Sequence, residues 1–228
     1  MNPLDGIAFT IPGLTEKERD PDARIWYTPD GDGVGLFHFS IAPDIPGSLE
    51  RLADVRLALS QRTSASGAAI IEVDVTTVDG GCKALRQCIK VPQPGRGSTY
   101  IGSLTLPFRD FSFVLKIQCE ERRVTGMREA VVLDEKLRSG EVLLKSDGKG
   151  IDGWMKDPYD DTRTSGLARS LADDDKYDGR FPDHPLSRAR RFLLAAQQSL
   201  RVTDAIKTAP PFNYRPTARA SRPWWKPW

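Results

Sequence analysis

The residues best equipped for chemistry in this sequence are basic and aromatic, and they crowd towards one end. From Leu186 to Trp228 there are nine Lys and Arg against one Asp, a local charge of +8 in a chain whose overall charge is +2. Arg188, Arg190 and Arg191 come first; Arg215, Arg219, Arg222 and Lys226 follow, interleaved with Phe212, Tyr214, Trp224, Trp225 and Trp228. Guanidinium groups beside aromatic faces hold phosphates and stack on bases. They also settle in a lipid headgroup layer and dominate protein–protein hot spots. The prolines of APPFNYRPTARASRPWWKPW exclude regular helix and central strand, and they reduce the entropy lost when the segment docks. Three fates stay open for it: a flap on its own domain, an anchor for a partner protein, or a foot on anionic membrane or nucleic acid. The contact is expected through Arg188, Arg191, Phe212, Tyr214, Arg222, Trp224, Trp225 and Trp228.

Other constellations are weaker. His38 lies between Phe37 and Phe39 in GLFHFS, as a strand-face residue would, and His184 sits between Asp183 and Pro185 at a helix start. Neither accompanies a nucleophile motif such as GxSxG. Gly31-Asp-Gly-Val-Gly35 lacks the GK[ST] and the following helix of a phosphate loop, so it reads as a turn. Asp30 and Asp32, like Asp173, Asp174, Asp175 and Asp178, offer oxygen ligands but not the spacing of a calcium loop, and they read as solvated charge. Cys82, Cys88 and Cys119 are odd in number and form no CxxC pair, which points to neither a disulfide framework nor a zinc site; Cys119 reads as a buried thiol. No catalytic residue, metal or cofactor is therefore expected.

The elements that must position these residues follow from periodicity. Ile7 to Pro12 reads as a strand, and Arg24–Thr28 with Val34–Ala42 as a hairpin about Pro29–Gly33. Ser48 is placed to cap a helix through LERLADVRLALSQR, with Leu52, Val55 and Leu59 on one face. In Ile71–Val75 apolar and acidic residues alternate, predicting one wet face. Strands at Lys83–Val91, Thr99–Leu106 and Phe111–Cys119 follow, then a helix from Gly126 to Leu137 capped by Thr125, with Met127, Ala130 and Val131 inward. Ser165 starts a predicted short helix, GLARSLA. Pro185 opens the strongest one, LSRARRFLLAAQQSLRVTDAIK, whose Leu186, Ala189, Leu193, Ala196 and Leu200 share a stripe. The layout is α+β, an antiparallel sheet covered by helices, divided as a domain at 1–145, a linker and helical extension at 146–207, and a Pro/Trp-rich basic tail at 208–228. No run approaches the roughly 20 apolar residues of a membrane span, and MNPLDGIAFTIPG lacks a signal-peptide pattern, so a cytoplasmic location is expected.

Over roughly residues 1–145 this layout resembles the PsbP/DcrB-like α/β fold. The features that carry the resemblance are Phe9, Ile11 and Pro12 at the first strand and the Asp79-Gly80 turn between central strands. That family includes a photosystem accessory protein, a Ran-binding protein, bacterial lipoproteins and Eag-type chaperones of type VI secretion effectors. The resemblance implies binding without catalysis: a bacterial chaperone, adaptor or immunity-type factor whose partner is another protein, such as a secreted effector or toxin. The chain departs from the family in lacking a lipoprotein signal and in adding about eighty C-terminal residues. The alternative expectation is attachment to anionic membrane or nucleic acid through the basic tail.

Overall fold

The computed structural model describes residues 2–215. A 3-10 turn (Pro3–Gly6) and β1 (Ile7–Ala8) lead into β2 (Thr15–Arg19), β3 (Ala23–Tyr27) and β4 (Gly33–Phe39). After α1 (Leu52–Ala65) come β5 (Ala69–Val78), β6 (Cys82–Pro92), β7 (Ser98–Pro107), β8 (Ser112–Glu120) and α2 (Met127–Arg138). Short strands β9 (Leu143–Leu144), β10 (Ile151–Asp152), β11 (Met155–Lys156) and β12 (Arg169–Ser170) precede α3 (Pro185–Ser199), β13 (Arg201–Val202) and α4 (Asp204–Lys207). Strands β2 to β8 form one antiparallel sheet in the order β2, β3, β4, β8, β7, β6, β5. The molecule is thus α+β, a large antiparallel sheet packed with helices.

The period-2 pattern of the central strands sends their apolar residues to two sides. On one side Tyr100, Leu104 and Leu106 of β7 and Phe113, Leu115, Ile117 and Cys119 of β8 meet Leu186, Ala189, Leu193, Ala196 and Leu200. The five-residue stripe of α3 is fully buried, and each leucine in it contributes about 1.5–3 kcal/mol by leaving water. At Gly102 of β7 an added Cβ would lie 3.4 Å from Leu193, at van der Waals contact, so α3 packs directly over the strand backbone. On the other side Val55 and Leu59 of α1 cover Ile70, Val73, Leu85, Ile89 and Ile101. A third cluster joins Val132 of α2 to Val142, Trp154 and Ala172. The position-145 boundary therefore does not separate two cores, because α3 supplies a layer of the main one.

Local competition explains where elements depart from their predicted limits. Ser48 organises a turn, accepting Arg51 N–H on its carbonyl at 2.9 Å and Glu50 N–H on its Oγ at 3.3 Å, so α1 starts only at Leu52. In α2 the inward residues are Arg128 and Val132, while Met127 and Ala130 are exposed; a buried arginine had shifted the apparent phase. GLARSLA forms β12 and a 3-10 turn instead of a helix, because Ser170 and Asp173 close a capping box. The helix opened by Pro185 ends at Ser199, since Arg201–Val202 pairs with Ile7–Ala8 and Val202 N–H donates to Asp79 at 2.7 Å. The first strand likewise shortens to Ile7–Ala8. A bulge between Ile70 and Glu72 turns Glu72 towards α3, so the expected wet face of β5 holds a half-buried carboxylate.

Candidate functional site

Two depressions flank the segment from Ser170 to Asp178, and both are built on charges that the fold carries inward. The larger, about 670 Å³, is a groove between the edge strand β5 and α3, lined by Val75, Thr76, Asp74, Arg86, Arg191 and Leu194 among others. Beneath it Arg190 donates to both Glu72, at 2.9 Å, and Asp178, at 3.1 Å, and Arg86 donates to Glu72 at 2.8 Å. Arg128, fully buried on α2, adds bonds to Asp178, Ser187 and the Ala172 and Asp174 carbonyls. Burial opposes ionisation of Glu72, but Arg190 and Arg86 outweigh it and hold the carboxyl below its usual range. Burial likewise disfavours the charge on Arg190, and Glu72 with Asp178 more than restores it.

β5 is the last strand of the sheet, and its outer edge is mostly closed. Tyr159 Oη accepts Val73 N–H at 2.8 Å, Arg56 donates to the Val73 carbonyl at 2.9 Å, and Asp74 Oδ1 accepts Val75 N–H at 2.9 Å. By the alternation of an antiparallel ladder, Thr77 is the next residue whose backbone faces outward. Such capping is how an edge strand avoids indiscriminate pairing. What stays open is the groove itself, with Leu194 49% exposed at its wall.

The smaller depression, about 270 Å³, lies between the β6–β7 connection, the start of α2 and the β11–β12 region; Trp154, Met155 and Leu167 give it an apolar wall, facing Glu121 and Glu129. Lys90 and Tyr100 are cross-strand partners on β6 and β7. Lys90 Nζ donates to Asp173 at 2.6 Å, an ion pair buried on both sides, and Tyr100 Oη donates to Glu129 Oε1 at 2.9 Å. Glu121 accepts Ser98 N–H and Gly126 N–H, both at 2.7 Å; Gly126 stands at φ +73°, the left-handed conformation glycine adopts without strain, and opens α2. Glu129 is raised above the usual carboxyl range by burial, with Glu121 and Asp173 adding to the effect. His184 is drawn down to about 3 by burial and by Arg128, and is therefore neutral.

Donor atoms of Glu121, Glu129 and His184 lie within 4.8 Å of one another, which raises the question of a metal. The histidine argues against it. His184 is the N-cap of α3 and its Nδ1 accepts Leu186 N–H at 3.2 Å. The proton then sits on Nε2, the nitrogen that faces Glu129 at 3.7 Å. A metal-ligating imidazole needs that nitrogen bare and its other one donating. Both oxygens of Glu121 are also committed to backbone N–H groups.

Among the residues singled out from sequence, Arg188 is spent within the fold: it grips the buried Asp32 at 2.7 and 2.8 Å. Asp32, Asp173 and Asp178 are thus not solvated charges, as first expected, but members of ion pairs. Arg191 is exposed and donates to the Pro182 carbonyl at 3.1 Å. Phe212 packs against the α1-side cluster, Tyr214 is half-buried, and Arg109 N–H donates to Pro210 at 3.0 Å. Arg222, Trp224, Trp225 and Trp228 lie outside the described residues. His38 packs on Phe113 with its Nδ1 3.2 Å from Asp22, and Cys88 and Cys119 are buried free thiols. Sequence reasoning passed over Lys90, Tyr100, Glu121 and Glu129. Register was the available signal for Lys90, which shares the inward face of Cys88 two residues earlier.

Among the described residues no helix is long and apolar enough to cross a membrane. No protein-family model and no curated protein matches this chain. Solved structures similar to it include the Ran-binding protein Mog1p of Saccharomyces cerevisiae, with 10% identity and a TM-score of 0.35 over 57% of this chain and 78% of that one. Another comes from Bacteroides thetaiotaomicron, with 9% identity and a TM-score of 0.30 over 54% of this chain and 41% of that one.

Proposed function

We propose that this chain is a non-enzymatic protein-binding factor, of the chaperone, adaptor or immunity type, and that its contact surface is the groove between β5 and α3. The observation that carries the reading is the groove's composition. Arg86, Arg190 and Arg191 are balanced by Asp74, Asp175 and Asp178, with Leu194 and Val75 between them. A polyanion or an anionic membrane calls for a surplus of positive charge. A mixed wall around an exposed leucine suits the polar rim and apolar centre of a protein partner. The ion pairs beneath hold the groove rigid before binding, which lowers the ordering cost of association. The PsbP/DcrB-like resemblance and a partner secreted by a bacterium belong to the same proposal.

The test is co-purification of the full chain from its native host, in parallel with Leu194→Asp and Thr77→Pro variants. Leu194→Asp places a charge in the groove. Thr77→Pro removes an outward N–H from the edge without touching a ladder bond to β6. Expected is one stoichiometric partner with the unmodified chain and its loss with Leu194→Asp. Equal recovery of that partner by both variants would remove the groove from consideration.

A further inference from the structure

The cleft beneath Trp154 carries an inference of its own, independent of the groove. Its two half-buried carboxylates lack the basic partner that the buried Asp32, Asp157 and Asp173 and the half-buried Glu72 possess. Asp32 has Arg188, Asp157 has Arg163, Asp173 has Lys90, and Glu72 has Arg86 and Arg190. Among the described residues no lysine or arginine stands within ion-pair distance of Glu121 or Glu129; the one basic side chain near Glu129 is the neutral His184.

Unsatisfied atoms mark the same place. Glu129 Oε2 is buried without a hydrogen-bond partner. Asp173, 0% exposed, has a partner for Oδ2 but none for Oδ1, and the Lys90 and Ser170 groups that hold it line the cleft. His184, whose side chain is 7% exposed, leaves Nε2 without a partner. Orphaned buried acceptors cost stability unless a ligand or water completes them, and two of the three orphans are carboxylate oxygens, which ask for donors. Trp154 gives the wall an aromatic side chain, and Met155 and Leu167 would flank an aliphatic stem. A donor-rich cation on an apolar stem fits this arrangement. A divalent metal fits poorly, because the tautomer of His184 puts a proton on the nitrogen that would have to ligate.

We infer that the cleft between Glu121, Glu129 and Trp154 is a binding subsite for the ammonium or guanidinium group of a lysine or arginine side chain presented by another polypeptide. About 270 Å³ accommodates one such side chain. The cation would donate to Glu129 Oε2 and replace the missing counter-charge of the pair. The ligand leaves Glu121 free to keep its bonds to Ser98 and Gly126, so the start of α2 need not rearrange.

The experiment titrates the full chain with N-acetyl-lysinamide, N-acetyl-argininamide and N-acetyl-glutaminamide, read by calorimetry and by the Trp154 contribution to fluorescence, with Trp154→Phe as the reference. Saturable binding of a cationic amide, about tenfold or more tighter than the neutral one and weakened about tenfold by Glu129→Gln, is expected. Glu129→Gln keeps an acceptor for Tyr100, and its melting temperature should rise, which separates loss of binding from loss of fold. Equal binding of the three amides, or no effect of Glu129→Gln on a well-folded variant, overturns the inference. So does zinc binding that His184→Asn abolishes. These variants lie outside the groove, so failure here leaves the groove reading to its own test.

Discussion

The groove beside α3 and the cleft beneath Trp154 use the same materials, acids and bases carried inward on strands and helices, with opposite balance. Under the groove Glu72, Arg86, Arg128, Arg190 and Asp178 complete one another. In the cleft Glu121 and Glu129 stand beside a neutral histidine, and oxygen atoms of Glu129 and Asp173 are left over. A buried charge that is paired and hydrogen-bonded fixes architecture; one without a counter-charge stores free energy that a ligand can release. The paired set beneath the groove is scaffold, and the unpaired acids of the cleft are poised for a ligand.

The sharpest way to break that contrast is to unpair the scaffold. Arg190→Ala removes the shared partner of Glu72 and Asp178, leaving Glu72 to Arg86 alone and Asp178 to Arg128 alone. A loss of about 1.5–3 kcal/mol is expected in urea unfolding at neutral pH. A loss below about 1 kcal/mol would show that water replaces the guanidinium easily and that the groove floor is not rigid.

The second effect is a pH dependence arising in the cleft. His184 titrates near 6.5 in the unfolded chain and about 3 in the folded one, so the unfolded state binds the extra proton between these values. Its contribution is fully present above pH 6.5 and is lost as pH falls towards 3, with a slope approaching about 1.4 kcal/mol per pH unit. Glu129 acts in the opposite sense. Its folded pKa is raised, so its contribution is present below the unfolded carboxyl value of 4.5 and is lost as pH rises through the folded one. Chemical unfolding at a series of pH values should show the histidine slope in the wild type and its disappearance in His184→Asn. An unchanged slope would place the proton uptake elsewhere.

The sheet and the buried stripe of α3 were legible in the sequence because apolar periodicity records burial directly: Leu186, Ala189, Leu193, Ala196 and Leu200 are all where the spacing put them. Inward charges were not legible. Arg128 and Lys90 look like solvent-facing residues until the partner that satisfies each is known, and those partners, Asp178 and Asp173, lie 50 and 83 residues away. The same distance hid the cleft, whose groups come from β6, β7, α2 and the start of α3. Single-segment patterns such as GLARSLA failed where the side chain just beyond the segment, Asp173, offered the Ser170 backbone a better partner than a helix would.

Two smaller effects sharpen the contrast by their sign. Glu129→Gln should stabilise the ligand-free protein at pH 7 by about 0.5–1 kcal/mol, because the substitution removes a carboxylate whose ionisation the fold resists while keeping the Tyr100 bond. The gain should vanish below pH 4.5, where the wild-type side chain is protonated in both states; a gain that persists there would reflect packing instead of charge. Leu194→Asp, exposed on α3, should change stability by less than about 0.5 kcal/mol. Its expected consequence lies in partner recovery alone. The two substitutions thus separate the surfaces by opposite criteria: in the cleft, stability rises as binding of a cation falls, whereas in the groove binding falls with stability unmoved. If Leu194→Asp instead unfolds the protein, the leucine belongs to the core of the α3 layer, and the groove loses the apolar centre on which its role as a contact surface depends.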